Sequence, residues 1–127
     1  MKRIRRAYSK TVSLIDETAV QIYQSFVGKR KGFLLESYDK NNGRYVFMGK
    51  NPEEIIKSKE NGLVIEKADG EVKKLSGNPV DLLKAYYSDF EIHKDDEQLA
   101  FTGGLVGGLG YDFVRYKEGL PDNNPDE

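Results

Sequence analysis

The sequence predicts an α+β fold built mainly on antiparallel sheet from two hairpins, with three or four flanking helices. Two pairs of strand-like segments are each joined by a tight turn, Asn42-Gly43 in the first pair and Asp69-Gly70 in the second. Strands joined by such turns pair antiparallel. Helical patterns stand between the pairs rather than after every strand, which is not the order of a parallel βα sheet.

The first helix is predicted from about Glu17 to Val27. Thr18 and Gln21 have the spacing of a capping box, in which each residue satisfies a backbone N–H of the other. Gly28 then ends the pattern, as glycine commonly does after a helix. Apolar residues recur at helical intervals between these limits, at Ala19, Ile22, Tyr23 and Phe26.

A hairpin is predicted next, with strands at Gly32–Ser37 and Arg44–Met48. Both segments are rich in apolar, aromatic or β-branched residues, and the polar turn residues lie between them. A second hairpin is predicted from Gly62–Glu66 and Glu71–Leu75. Lysine and glutamate interrupt its apolar pattern, so it is expected to be marginal or edge-like.

Two asparagine-proline pairs predict helix starts, because asparagine caps well and proline is tolerated in the first turn. Asn51-Pro52 therefore predicts a short helix through about Lys57, and Asn78-Pro79 predicts a helix to about Tyr87. The polar stretch Ser88–Gln98 is interpreted as a loop. The domain prediction is a single domain over residues 1–121, followed by a disordered tail at 122–127.

The stretch Leu99–Leu109 is apolar and glycine-rich. It lacks the Lys-Ser/Thr pair of a phosphate loop, and its only G-x-G does not continue into a dinucleotide fingerprint. Its G-x-x-x-G spacings lie in a run too short for a membrane helix. The favoured interpretation is a strand packed closely under another sheet, followed by a glycine turn into a helix at Tyr111–Glu118.

Composition excludes several classes of function. The chain of 127 residues has no cysteine and one histidine, His93, in a charged stretch, so familiar zinc sites and histidine-based triads are not available. The formal net charge of -1 gives no broad reason to bind nucleic acid. No segment approaches a membrane span or a signal peptide. We expect a cytoplasmic protein, and the basic cluster Lys2–Arg6 is interpreted as a solvated end.

A resemblance to chorismate-utilising component I enzymes rests on two blocks. The first, Phe101–Gly107 with Gly110-Tyr111-Asp112 and residues out to Leu120-Pro121, resembles a signature that anthranilate synthase and aminodeoxychorismate synthase share. The second, Phe33–Ser37 with Gly43–Gly49, resembles anthranilate synthase component I. The resemblance covers about residues 18–121, and between 54 and 98 it lies mainly in element order. Gly108 departs from the bulkier residue that the family often carries.

The resemblance implies a tryptophan feedback site and no catalysis by this chain alone. Glu36 and Ser37 match the two polar residues of the family's Leu-Leu-Glu-Ser motif, and Arg44 and Tyr45 lie across the turn where they would border the same pocket. These four residues are the predicted tryptophan-binding set. No catalytic residue and no metal ligand is predicted here, since the chorismate site and the Mg²⁺ ligands of the family lie downstream.

The implied full-length enzyme makes anthranilate from chorismate with a glutamine amidotransferase subunit, component II, as its partner. Homo-oligomers through an exposed sheet are also expected. Two alternatives stay open at the level of sequence: a piece of aminodeoxychorismate synthase component I, and a stand-alone module that binds a small ligand or a protein.

Overall fold

The computed structural model describes residues 2–41, 43–59, 61–95 and 101–110. These ranges contain two helices and seven strands, so the α+β class is confirmed and the prediction of three or four helices is not. The predicted helix at 111–118 lies outside the described residues. In chain order the elements are β1 (Arg3–Ala7), α1 (Ala19–Phe26), β2 (Gly32–Asp39), β3 (Gly43–Lys50), β4 (Glu54–Lys59), β5 (Gly62–Lys67), β6 (Val72–Ser76), α2 (Pro79–Ser88) and β7 (Phe90–Lys94).

Both described helices begin at the predicted caps. The backbone N–H of Gln21 donates to the Thr18 hydroxyl at 3.2 Å, and the N–H of Thr18 donates to the Gln21 side chain at 2.9 Å. At α2 the Asn78 side-chain oxygen accepts from the N–H groups of Val80 and Asp81, at 2.9 and 3.3 Å. Each cap satisfies backbone donors that the first helical turn leaves without partners, which is why the local sequence predicts both starts.

The strands form a β2–β3 hairpin, a three-stranded sheet in the order β4–β5–β6, and a β1–β7 pair. The two predicted hairpins are both present, as β2–β3 and β5–β6. The expectation that the second would be edge-like holds for β6 alone. Strand β5 is central, and its Leu63 and Ile65 are buried.

The predicted helix after Asn51 is wrong, because residues Glu54–Lys59 form β4. A helix cap has extended backbone, whereas Asn51 has a φ of +54° and its N–H donates to the Lys31 carbonyl at 2.9 Å. The β-branched pair Ile55-Ile56 suits a strand, and β5 supplies the pairing partner. Tertiary pairing therefore overrides the local helix signal.

The predicted loop at Ser88–Gln98 and the predicted solvated end at Lys2–Arg6 are also wrong in part, because these segments supply β7 and β1. The two strands pair in parallel, from Arg3 opposite Phe90 to Ala7 opposite Lys94. The Arg3 guanidinium lies over the Phe90 ring, 4.4 Å from its centroid, and 5.6 Å from that of Tyr86. A basic side chain can thus belong to a packed strand through its contact with aromatic faces.

The chain divides into two compact units. One contains described residues among 2–9, 56–65 and 72–110, and the buried Leu63 and Ile65 belong to it. The other contains residues 10–55 and 66–71, and Val27, which follows α1, is fully buried within it. The prediction of one domain over residues 1–121 with a tail at 122–127 stays a prediction.

The glycine-rich stretch 101–110 has no regular secondary structure, so the predicted strand is absent from these residues. Four of its apolar side chains are exposed, those of Phe101, Leu105, Val106 and Leu109. A Cβ added at Gly107 or Gly108 would meet no heavy atom within 4 Å. The close packing that would require glycine at these two positions is therefore not made by the described residues.

Gly32 is the position where β2 can carry no larger side chain. A Cβ there would meet the carbonyl oxygen of Gly49 on β3 and lie 2.6 Å from Cγ1 of the buried Val27. We expect Gly32→Ala to lower the free energy of unfolding by about 1–3 kcal/mol, because neither neighbour can move freely. Urea denaturation measures this change, and Gly107→Ala is the control expected to stay within about 0.5 kcal/mol. Equal stability of the two variants would contradict the packing described.

Candidate functional site

The four residues of the predicted site all lie on the β2–β3 hairpin. The strands are antiparallel, with Ser37 opposite Tyr45 and Tyr38 opposite Arg44. Gly43 follows the turn with a φ of +84°, a backbone conformation that glycine adopts without the steric cost of a Cβ. The register places all four residues near the turn end of the hairpin.

The hairpin has two faces of different chemistry. Side chains alternate along a strand, and residues directly opposite each other share a face. One face, which we call the charged face, carries Leu34, Glu36, Tyr38, Arg44 and Val46. The other, which we call the aromatic face, carries Phe33, Leu35, Ser37, Tyr45 and Phe47.

The structure thus brings the four predicted site residues together as two pairs, not as one cluster. Glu36 and Arg44 meet on the charged face, and Ser37 and Tyr45 lie opposite each other on the aromatic face. A ligand seated on one face contacts the side chains of one pair only. This division follows from the alternation of a regular strand.

The Glu36–Arg44 ion pair is the main polar feature of the charged face. Arg44 Nη2 lies 2.7 Å from Glu36 Oε1, and the two side chains are 63% and 47% exposed, respectively. An exposed pair of this kind contributes about 0–1 kcal/mol to folding, because water solvates both charges in the unfolded chain. Its partners keep free hydrogen-bonding capacity toward solvent, since a guanidinium has five N–H donors and a carboxylate accepts several bonds.

Tyr38 is a neighbour of this pair that the resemblance did not single out. It lies directly opposite Arg44 and two residues from Glu36 on the same face, and its side chain is 75% exposed. The sequence pattern could have identified Tyr38 as a neighbour of the pair. Side chains alternate along β2, so Glu36 and Tyr38 lie on one face whatever residue stands between them.

The aromatic face is open at its centre. Leu35 and Tyr45 are about half exposed, and the rings of Tyr45 and Phe47 stack with centroids 6.2 Å apart. Helix α1 contacts the hairpin on the charged face. The Lys50 ammonium lies 4.2 Å from the centroid of the Phe26 ring on α1, and Lys50 shares the charged face with Arg44 because side chains alternate along β3. On the aromatic face, Leu35 and Tyr45 thus expose apolar surface, whereas Phe33 and Phe47 are partly covered.

No group of three or more His, Cys, Asp or Glu side chains among the described residues could hold a metal ion. His93 lies on β7, with Nε2 2.6 Å from the Glu91 carboxylate, and both side chains are about half exposed. Among the described helices, neither is long and apolar enough to cross a membrane.

The chain is similar in sequence to several characterised proteins. It is 33% identical over 113 residues to anthranilate synthase component 1 of Acetivibrio thermocellus, covering 87% of this chain and 23% of that protein. It is 33% identical over 129 residues to the same component of Thermus thermophilus, covering 100% of this chain and 27% of that protein. It is also 30% identical over 115 residues to aminodeoxychorismate synthase component 1 of Bacillus subtilis, covering 90% of this chain and 24% of that protein.

No protein-family model and no solved structure matches the chain. The curated relatives nevertheless show that it belongs to the component 1 family of chorismate-utilising enzymes. Within that family it is related to anthranilate synthase component 1. The chain spans about a quarter of the length of the relatives it matches.

The Glu36–Arg44 pair should be nearly neutral for folding. In a double-mutant cycle of Glu36→Gln and Arg44→Gln, we expect a coupling free energy below about 1 kcal/mol, because both groups are largely solvated. The matched comparison is the exposed pair Lys67–Glu71, in which Lys67 Nζ lies 3.2 Å from Glu71 Oε2. Urea unfolding of the four variants measures the coupling. A coupling free energy above about 2 kcal/mol would mean that the pair stabilises the fold, and it would argue against a binding role.

Proposed function

We propose that this chain is the amino-terminal, tryptophan-sensing and structural part of an anthranilate synthase component 1. In this proposal the full-length enzyme converts chorismate and ammonia, derived from glutamine, to anthranilate and pyruvate in tryptophan biosynthesis. The chain supplies the feedback site and no catalytic residue. The names of its relatives support the enzyme class, and the geometry of the charged face supports the binding role.

The exposed Glu36–Arg44 pair is the observation that carries the proposal. A free α-amino acid has an ammonium and a carboxylate on one carbon, so it complements a carboxylate and a guanidinium held side by side. Glu36 accepts from the ammonium, and Arg44 donates to the carboxylate, which a guanidinium can grip with two N–H groups. The ligand inserts between partners that are 2.7 Å apart and replaces one ion pair with two.

Ser37 and Tyr45 take a different part in this proposal, because they lie on the aromatic face. Ser37 contributes through its backbone, which connects Glu36 to Tyr38, or through contacts with further polypeptide on its own face. Tyr45 stabilises β3 on the aromatic face by stacking on Phe47. Substitutions at Ser37 would then act on the ligand through the position of the neighbouring Glu36.

Inhibition requires that tryptophan bind more tightly to a state of the enzyme that uses chorismate poorly. A coupling of about 1–3 kcal/mol between the two sites is sufficient for ordinary allosteric control. We propose that the chorismate site, its Mg²⁺ and the surface for the amidotransferase subunit, component II, belong to the part of the enzyme that this chain does not represent. The proposed setting is the cytoplasm, where free tryptophan reports on the pathway.

The match to a Bacillus subtilis protein favours one alternative, a piece of aminodeoxychorismate synthase component 1. The two enzymes start from the same substrate and differ in product. Assaying a full-length protein that carries this segment for anthranilate and for aminodeoxychorismate separates them. Aminodeoxychorismate as the sole product would replace the first proposal.

Tryptophan binding to the chain is expected to be weak and centred on the charged face. In a titration of the ¹⁵N-labelled chain with L-tryptophan, we expect the largest amide shifts near Glu36 and Arg44, with a Kd in the millimolar range. The reason is that an open strand face buries little of the ligand. Glu36→Gln and Arg44→Gln should each weaken binding at least about fivefold, since each removes one charge-assisted contact.

Two controls accompany this titration. Glu71→Gln removes an exposed carboxylate from the other ion pair and should leave the Kd unchanged. Tryptamine lacks the carboxylate and indole-3-propionate lacks the ammonium, so both should bind more weakly than tryptophan. Shifts confined to residues away from the hairpin, or a Kd unaffected by Glu36→Gln, would contradict the proposed site.

We also propose that the aromatic face drives homo-oligomer formation in the isolated chain, because apolar surface left in water favours association. Sedimentation over a range of concentrations should show weak self-association that Leu35→Glu reduces. Val72→Glu is the matched control, since Val72 is exposed to a similar degree but belongs to a different strand, β6. A monomer at all concentrations, or equal effects of the two variants, would contradict this role of the face.

A further inference from the structure

We infer that Tyr38 is the residue of this chain that determines specificity for a planar aromatic side chain at the Glu36–Arg44 pair. This inference rests on the proposed amino-acid site and adds the residue that recognises the ligand's side chain. Charge complementarity alone recognises the backbone groups that all amino acids share. Discrimination needs a second contact, on the same face and within reach of the ligand's α-carbon.

The hairpin register puts Tyr38 in that place. It is the direct cross-strand neighbour of Arg44, and it lies two residues along β2 from Glu36. Directly opposite residues have Cβ atoms about 4.5–5.5 Å apart, and residues two apart on a strand are separated by roughly 7 Å. An amino acid held between Glu36 and Arg44 therefore has the Tyr38 ring beside it.

The state of the Tyr38 ring also fits this role. Its side chain is 75% exposed, and it makes no ring contact with other side chains that the structure describes. Its face is thus available to a ligand without disruption of the core. Val46, opposite Glu36 on the same face, is only partly accessible, and its small aliphatic side chain offers no ring for stacking.

Stacking gives the preference its chemical basis. An indole ring can lie offset over the phenol ring, an arrangement that contributes beyond simple burial of area. The stabilisation that aromatic pairs provide beyond area burial corresponds to about 2- to 12-fold in affinity. An aliphatic ligand covers the same ring without this contribution, so the site should prefer tryptophan to leucine by a factor of that order.

The test compares two ligands on four forms of the chain. Kd values for L-tryptophan and L-leucine are measured by ¹⁵N NMR titration on the unmodified chain, Tyr38→Ala, Tyr38→Phe and Tyr87→Ala. We expect Tyr38→Ala to reduce the leucine-to-tryptophan Kd ratio by about 2- to 12-fold and to change the leucine Kd by less than about twofold. Tyr38→Phe keeps the ring and should keep the ratio. Tyr87, which is 51% exposed on α2, is the matched control and should have no effect.

The outcomes separate this inference from the proposed function. If Tyr38→Ala leaves the ratio unchanged while Glu36→Gln weakens both ligands, the amino-acid site stands and the role of Tyr38 is wrong. If Tyr38→Ala weakens both ligands equally, Tyr38 supports the ion pair and does not select the side chain, which also overturns the inference. If neither ligand shifts the amides of Glu36 or Arg44 in the unmodified chain, the proposed site itself fails.

Discussion

The register of the β2–β3 hairpin is the constraint on which the rest of the site depends. With a side-chain period of two, a slip of one residue would move every side chain of β2 to the opposite face. The turn at Gly43, with its positive φ, holds one end of the register. The close approach of Gly32 to Gly49 and Val27 holds the other. Between these ends, the register decides which residues can act together.

Its main consequence is the separation of two neighbours in the sequence. Glu36 and Ser37 stand side by side in the chain but on opposite faces of the hairpin, where they have different partners. Glu36 joins Arg44 in an exposed ion pair that contributes little to folding. In the proposed site, Glu36 and Arg44 exchange their mutual ion pair for contacts with a ligand. The aromatic face, in contrast, is suited to contact with more polypeptide.

The unit that contains β1 and β7 shows a structure that depends on contacts between distant residues. Strands β1 and β7 are far apart in the chain, yet they pair in parallel and place Arg3 over the rings of Phe90 and Tyr86. A guanidinium stacked on aromatic faces loses less hydration than an ammonium would, so arginine is tolerated there. The relatives match nearly the whole chain and are about four times as long.

The local sequence is sufficient to predict the features that depend on near neighbours. The capping box at Thr18, the Asn78 cap and the glycine turn at Gly43 each act within a few residues, so their signals are complete in the local chain. Tertiary structure alone decided that the segment after Asn51 is a strand, because β5 supplies its partner, and that Phe90–Lys94 pairs with β1. The β1–β7 pairing joins residues that are distant in the chain, and no local pattern specifies which distant segment will be the partner.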